Sequence, residues 1–329
     1  MSSYLKESSV FANAIKELDG KKVLVLGHRR PDGDCIGSQV ALTRVLQGLG
    51  IDTRAVNQDS VPRTLRKFIG DTPFFRPEEI EGDSYTVITV DCADHGRVGN
   101  ELCNRFPDIH LNIDHHVSNN NYARTNLVLS NAAATGEILA KFFLNSALQI
   151  DPITADALYL GIATDTGQFC YSGTNGSVFD VCRKLCEFGA SPSRVAHELY
   201  EKEKPGRVQL LQRFLSTFRM EHKNRVCIGM LKDSFFEETD TKPEDSESFV
   251  DYARSMEGVD IGVLIEERNG QIKGSFRAKN ESFRVDLLAK EFNGGGHACA
   301  AGFNLEGNLD DFYPLLVEKI GHYLSGIKL

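Results

Sequence analysis

The chain has 329 residues, more than one hydrophobic core ordinarily serves, so two domains are expected. Its net charge of −9 argues against a protein that coats long nucleic acid, which needs a broad basic surface, but allows a short anionic ligand in a locally positive cleft. With 41% hydrophobic and 25% charged residues, it reads as a soluble globular protein. No apolar run reaches the length of a membrane span, and MSSYLKESSVFANAIKELDGKK has neither the basic start nor the apolar core of a signal peptide. The eight scattered cysteines form no CxxC pair and read as free thiols, so a cytoplasmic location with no membrane partner is expected.

Val10, Phe11, Ala14, Ile15 and Leu18 recur at helical spacing and predict a first amphipathic helix. Apolar runs then predict strands at 22–27, 51–57, 85–92 and 109–116, with a helix carrying Ile36, Val40, Val45 and Leu46 between the first two. This βαβα pattern predicts an α/β fold, a doubly wound and mostly parallel sheet. Helices are predicted at 135–148, 152–164 and 177–190, and a long one at 193–218 is interrupted at Pro205-Gly206. Strands at 226–232, 259–268 and 271–279, the last two joined by an Asn269-Gly270 turn, and helices at 283–292 and 309–324 predict a second, smaller α+β domain. The acidic segment 237–248 reads as an exposed loop or the start of a helix. The expected division is 1–190 for a catalytic domain, 191–220 for a helical linker and 221–329 for a substrate-binding domain, with a cleft between the domains.

Three predicted strands run directly into polar clusters. GHRRPDGDCIGS supplies His28, Asp32 and Asp34, with the alternation of the loop setting both carboxylates toward one point. VDCADHGRVG supplies Asp91, Asp94, His95 and Arg97, and NIDHHVSN supplies Asp114, His115, His116, Ser118 and Asn119. GIATDTGQF adds Asp165 at the end of a helix. Carboxylates gathered at one sheet edge repel one another and resist ionisation, and divalent cations remove that conflict. His28, Asp32, Asp34, Asp91, His115 and Asp165 offer enough donors for two ions. Mixed nitrogen and oxygen ligation suits manganese, with magnesium or cobalt as alternatives. Two such ions form a known centre for in-line phosphoryl transfer. No cysteine is counted in this set. In the second half, Gly294, Gly295 and Gly296 can expose consecutive amides to an anion, a backbone nest beside His297 and Arg277.

HRRPDGDCIGS, VDCADHGR, IDHHVSN and TDTGQF resemble the four motifs of the DHH phosphoesterases, named for the Asp-His-His at 114–116. GSFRAKN and NGGGHACAAG resemble the DHH-associated substrate-binding domain. In length the chain is similar to the bacterial nano-RNase and pAp phosphatase branch, without the extra domains of RecJ exonucleases or the membrane and sensory segments of cyclic-dinucleotide phosphodiesterases. The resemblance implies that His28, Asp32 and Asp91 hold one manganese ion, and that Asp34, Asp91, His115 and Asp165 hold the other, with Asp91 bridging. It implies that Asp114 orients an imidazole, that His116 and Arg97 contact the scissile phosphate, and that Arg277, Gly294–Gly296 and His297 grip the substrate. Cys35 stands where the family often has alanine.

The expected activity is hydrolysis of very short oligoribonucleotides to nucleoside 5′-monophosphates, and of 3′-phosphoadenosine 5′-phosphate (pAp) to AMP and phosphate. Linear or cyclic dinucleotides, polyphosphate and pyrophosphate are alternative substrates, and a homodimer is left open. A silent nucleotide-binding module would lack a metal ligand, and none is missing.

Overall fold

The chain is described here by a computed structural model covering residues 3–326. It forms two compact units divided between Lys202 and Glu203. The first contains α1 (Leu5–Lys16), β1 (Lys22–Leu26), α2 (Gly33–Gly48), β2 (Asp52–Val56), β3 (Phe74–Phe75), β4 (Thr86–Val90), α3 (Asn100–Arg105), β5 (Ile109–Asp114) and β6 (Thr125–Val128). It continues with α4 (Thr135–Asn145), α5 (Pro152–Asp165), α6 (Gly176–Glu187) and α7 (Pro192–Tyr200).

Its six strands are all parallel, in the order β3-β2-β1-β4-β5-β6. Both faces of the sheet are covered, so β1 is apolar from Val23 to Leu26 instead of alternating. Val23 and Val25 enter one core with Phe11, Ile36, Val40 and Leu158, while Leu24 and Leu26 enter another with Val56, Val98 and Phe106. The chain winds outward from β1 through β2 to β3, then returns to the other side of β1 as β4. The ends of β1 and β4 therefore flank the switch point of the sheet, where doubly wound folds bind ligands.

The four expected strands are present but shorter, because their polar ends turn into loops; His115 and His116 lie just beyond β5. The edge strands β3 and β6 were not expected, being too short for a readable alternation. Helices α2 and α5 cross at very close range. A Cβ on Gly37 would overlap the carbonyl oxygen of Ala157, and one on Gly161 would lie 2.5 Å from Asp34 Oδ1. This approach sets Asp34, in the first turn of α2, beside the end of α5, which carries Asp165.

The second unit contains α8 (Pro205–Ser216), β7 (Arg219–Glu221), β8 (Val226–Leu231), α9 (Asp233–Glu238), α10 (Phe249–Arg254), β9 (Ile261–Arg268), β10 (Gln271–Ala278), α11 (Val285–Lys290), β11 (Gly295–His297), β12 (Ala300–Glu306) and α12 (Leu309–Gly326). Its mixed sheet runs β11-β12-β10-β9-β8-β7, with only β8 and β9 parallel. Asn269 and Gly270 both take positive φ, 51° and 75°, as a two-residue hairpin turn requires. Within 191–220, Val195 of α7 packs into the first unit, while Leu210 and Phe214 of α8 pack into the second. The acidic segment 237–248 is less exposed than expected, since Asp245 is buried and paired with Lys204 at 2.8 Å. Among the described residues no helix is long and apolar enough to cross a membrane.

Candidate metal centre

The motifs from β1, β4, β5 and α5 meet at the carboxyl edge of the first sheet. His28 follows β1 and is buried. Its Nδ1 donates to the carbonyl of Arg29 at 2.8 Å, which leaves Nε2 turned to Asp32 Oδ2 at 3.5 Å and Asp91 Oδ2 at 3.4 Å. Asp91 follows β4, is 2% exposed and holds φ at 56°, an uncommon backbone state of the kind that clusters at functional sites. Its other oxygen lies 3.6 Å from both His115 Nε2 and His116 Nδ1, and accepts from Thr135 Oγ1 at 3.1 Å. Asp165 Oδ2 is 3.1 Å from His115 Nε2.

Asp32 and Asp34 do not converge by loop alternation, because both belong to the start of α2. Asp32 is its N-cap, accepting from the Cys35 amide at 3.0 Å, and is largely exposed. Asp34 points the other way, fully buried, and accepts the amides of Thr135 at 2.6 Å and Gly136 at 2.8 Å. A carboxylate at the N-terminus of α4 meets unpaired N–H groups and the positive end of the helix dipole.

Asp114 ends β5 and is fully buried. It accepts from Asn119 Nδ2 at 2.6 Å and from His116 Nδ1 at 2.7 Å. The second bond fixes the His116 ring and leaves Nε2 facing Arg97 Nη1 at 3.3 Å. Beneath this pair lies a network without a motif: Asn112 Nδ2 donates to Thr89 Oγ1, and the Tyr122 hydroxyl donates to Thr89 Oγ1 and to the Cys92 carbonyl. Thr135, Asn112, Thr89 and Tyr122 were not singled out from the sequence, since lone polar residues at helix starts and inside strands carry no spacing signal. Asp94 and His95 stand outside the cluster; the His95 ring stacks on Tyr122 at 5.7 Å.

Burial drives Asp34 well above the usual carboxylate range, and Asp91 and Asp165 add to the rise. Asp165 is raised as well, first by burial and then by Asp91 and Asp32. Burial opposes charge on His115, but Asp165, Asp34 and Asp91 outweigh it and push the imidazole up to about 10. His28 is raised in the same sense, against its burial, by Cys35, Asp32 and Asp91. Three donor groups each fall within the span of one ion: Asp34–His115–Asp165, Asp91–His115–His116 and His28–Cys35–Asp91. The donors fit divalent cations, which would satisfy the carboxylates and displace the imidazole protons.

At neutral pH a group with a raised pKa holds its proton, so cation binding must release protons, and affinity must rise with pH. Calorimetric titration with manganese in buffers of different ionisation enthalpy is expected to show net proton release; uptake or no proton exchange would contradict it.

In the second unit, Gly295–His297 form the edge strand β11, and the Gly294 amide already donates to the Ala289 carbonyl at 2.8 Å. The expected nest of three consecutive free amides is therefore replaced by a strand edge, because β12 pairs with the glycine run. The register adds what the sequence did not show. Arg277, Ala300 and His297 sit opposite one another across β10, β12 and β11, so their side chains share one face with only a methyl group between the two basic residues. Among the described residues Arg277 forms no ion pair; its Nη1 donates to the Phe276 carbonyl at 3.1 Å.

A doubly wound sheet with a His/Asp cluster at its switch point, followed by a separate mixed-sheet unit, is the arrangement expected of a phosphoesterase of the DHH class. Residues 22–162 match the family model described as DHH family, N-terminal domain, and residues 224–325 match the DHHA1 domain. The chain thus carries both a DHH domain and a DHHA1 domain. It is 28% identical to the bifunctional oligoribonuclease and PAP phosphatase NrnA of Thermus thermophilus, over 98% of this chain and 96% of that protein. Among solved structures it is similar to an exopolyphosphatase-related protein from Bacteroides fragilis, with TM-score 0.84 and 22% identity over 97% of this chain and 95% of that one. It also resembles an exonuclease RecJ bound to manganese, with TM-score 0.54 and 16% identity over 98% and 95% of the two chains.

Proposed function

We propose that this chain is a manganese-dependent phosphoesterase that cleaves very short oligoribonucleotides to nucleoside 5′-monophosphates and pAp to AMP and phosphate. The observation that carries the reading is the meeting of His28, Asp32, Asp34, Asp91, His115 and Asp165 at one sheet edge, with His116 and Arg97 beside them. His28, Asp32 and Asp91 would hold one ion, and Asp34, Asp91, His115 and Asp165 the other. When bound, the ions supply Lewis-acid polarisation of the phosphoryl group and a water ionised near neutral pH.

His116, held by Asp114, and Arg97 offer hydrogen bonds to the oxygens of a phosphate at that edge. Arg277 and His297 share the face that would grip a second, terminal phosphate. A grip of this size holds one phosphate, and the chain has neither tryptophan nor a net positive charge to follow a long strand. The likeness to the Thermus protein over almost the whole length of both chains supports this substrate class. All eight cysteines are free, which suits the reducing cytoplasm.

The test offers purified protein with manganese a panel of pAp, RNA 2-mers, 5-mers and 24-mers, a cyclic dinucleotide and polyphosphate. The expected result is the highest kcat/KM on pAp and the 2-mers, falling with length. Equal or rising values with length, or hydrolysis of polyphosphate alone, would overturn the assignment. Arg277→Ala and His297→Ala are expected to raise KM for 5′-phosphorylated substrates with little change in kcat, since a grip used equally in ground and transition states is uniform binding. Unchanged KM with lost kcat would move them into the catalytic set.

A further inference from the structure

Cys35 lies inside the cluster, although the motif pattern gave it no role. It sits in the first turn of α2 and is fully buried. Its Sγ, a ring nitrogen of His28 and a carboxylate oxygen of Asp91 all lie within 4.8 Å of one another. Three atoms at that limit lie about 2.8 Å from a common centre, against bond lengths of roughly 2.1 Å to nitrogen or oxygen and 2.3 Å to sulfur. A small inward adjustment of the side chains therefore suffices to close all three on one cation.

Two features fix the sulfur there. Asp32 holds the Cys35 amide at 3.0 Å, which anchors the backbone. Gly27 has no side chain, and a Cβ at that position would overlap Sγ. The ordinary role of a buried cysteine is that of a small hydrophobe. This one faces an imidazole and a carboxylate, and its one side-chain hydrogen bond is a weak contact to Gln39 Oε1 at 3.8 Å.

We propose that Cys35 is a thiolate ligand of the ion held by His28 and Asp91, so that this metal position carries a sulfur donor beside its nitrogen and oxygen donors. The inference rests on the metal centre proposed above. On binding, the S–H bond breaks, the metal–sulfur bond forms and the proton leaves to solvent. A soft donor raises the affinity of that position for zinc and cobalt relative to manganese and magnesium, compared with nitrogen and oxygen donors alone. Asp32 reaches the same imidazole from the exposed side, and Cys35 from the buried one.

The test loads the metal-free protein with cobalt(II), measures metal content by elemental analysis and records the absorption spectrum. The expected result is a sulfur-to-cobalt charge-transfer band in the near ultraviolet. It should be lost in Cys35→Ser and Cys35→Ala and kept in Cys92→Ala, which removes the neighbouring buried thiol. Zinc affinity relative to manganese should fall about tenfold or more in Cys35→Ser. Bound cobalt without that band, or a band that survives Cys35→Ala, would overturn the role of Cys35 and leave the metal centre standing. Failure to bind cobalt at all would overturn the metal centre, and this inference with it.

Discussion

Asp91→Ala is expected to abolish turnover and to remove both metal ions, whereas His116→Ala should keep the metals and lose rate. Asp91 turns its two oxygens toward different histidines, Oδ2 toward His28 and Oδ1 toward His115 and His116. It is almost completely buried between those rings. Alanine there leaves His28 and His115 with weakened cation sites and Thr135 Oγ1 without its acceptor. His116 is placed differently. Its Nδ1 is taken by Asp114, and its Nε2 faces Arg97. Removing an imidazole that bonds a charged oxygen in the transition state lowers kcat by about a hundred- to a thousandfold. Elemental analysis of the two variants beside their kcat values checks the division, and equal metal loss in both would refute it.

Gly37→Ala is expected to destabilise the first unit by about 1–3 kcal/mol and to weaken manganese binding, because a methyl group is forced into the contact between α2 and α5. The added Cβ would strike the backbone oxygen of Ala157, which cannot rotate away as a side chain does. Parting the two helices separates Asp34 from Asp165, and with them the carboxylates that face His115. Gly48→Ala lies on the same helix and meets nothing within 4 Å, so it should be neutral or stabilise by up to about 1 kcal/mol. Chemical denaturation of the two variants and manganese titration form the comparison. Equal stability of the two would show that the close crossing does not position the site.

The parallel sheet was legible because β1 carries an unbroken apolar run from Val23 to Leu26, β4 and β5 are rich in buried Val, Ile and Leu, and polar clusters follow each of the three. The edge strands β3 and β6 leave no such trace, since so few residues cannot display a period. The sequence also showed which groups belong to the centre, but not how they point. Asp32 and Asp34 are two residues apart and diverge, one capping α2 and the other capping α4, a helix that begins about a hundred residues later. Thr135 and Tyr122 act through contacts made only in the folded chain. The glycine run at 294–296 was read for its conformational freedom, whereas pairing with β12 decides its geometry. That same pairing aligns Arg277 with His297, a relation set by register across three strands.

The most direct test of the central claim is a titration of manganese into exhaustively chelated protein while hydrolysis of an RNA 2-mer is followed. The cluster at the sheet edge predicts no turnover without metal and a rise that levels off at about two ions per chain. Full turnover by protein shown to be metal-free would contradict it.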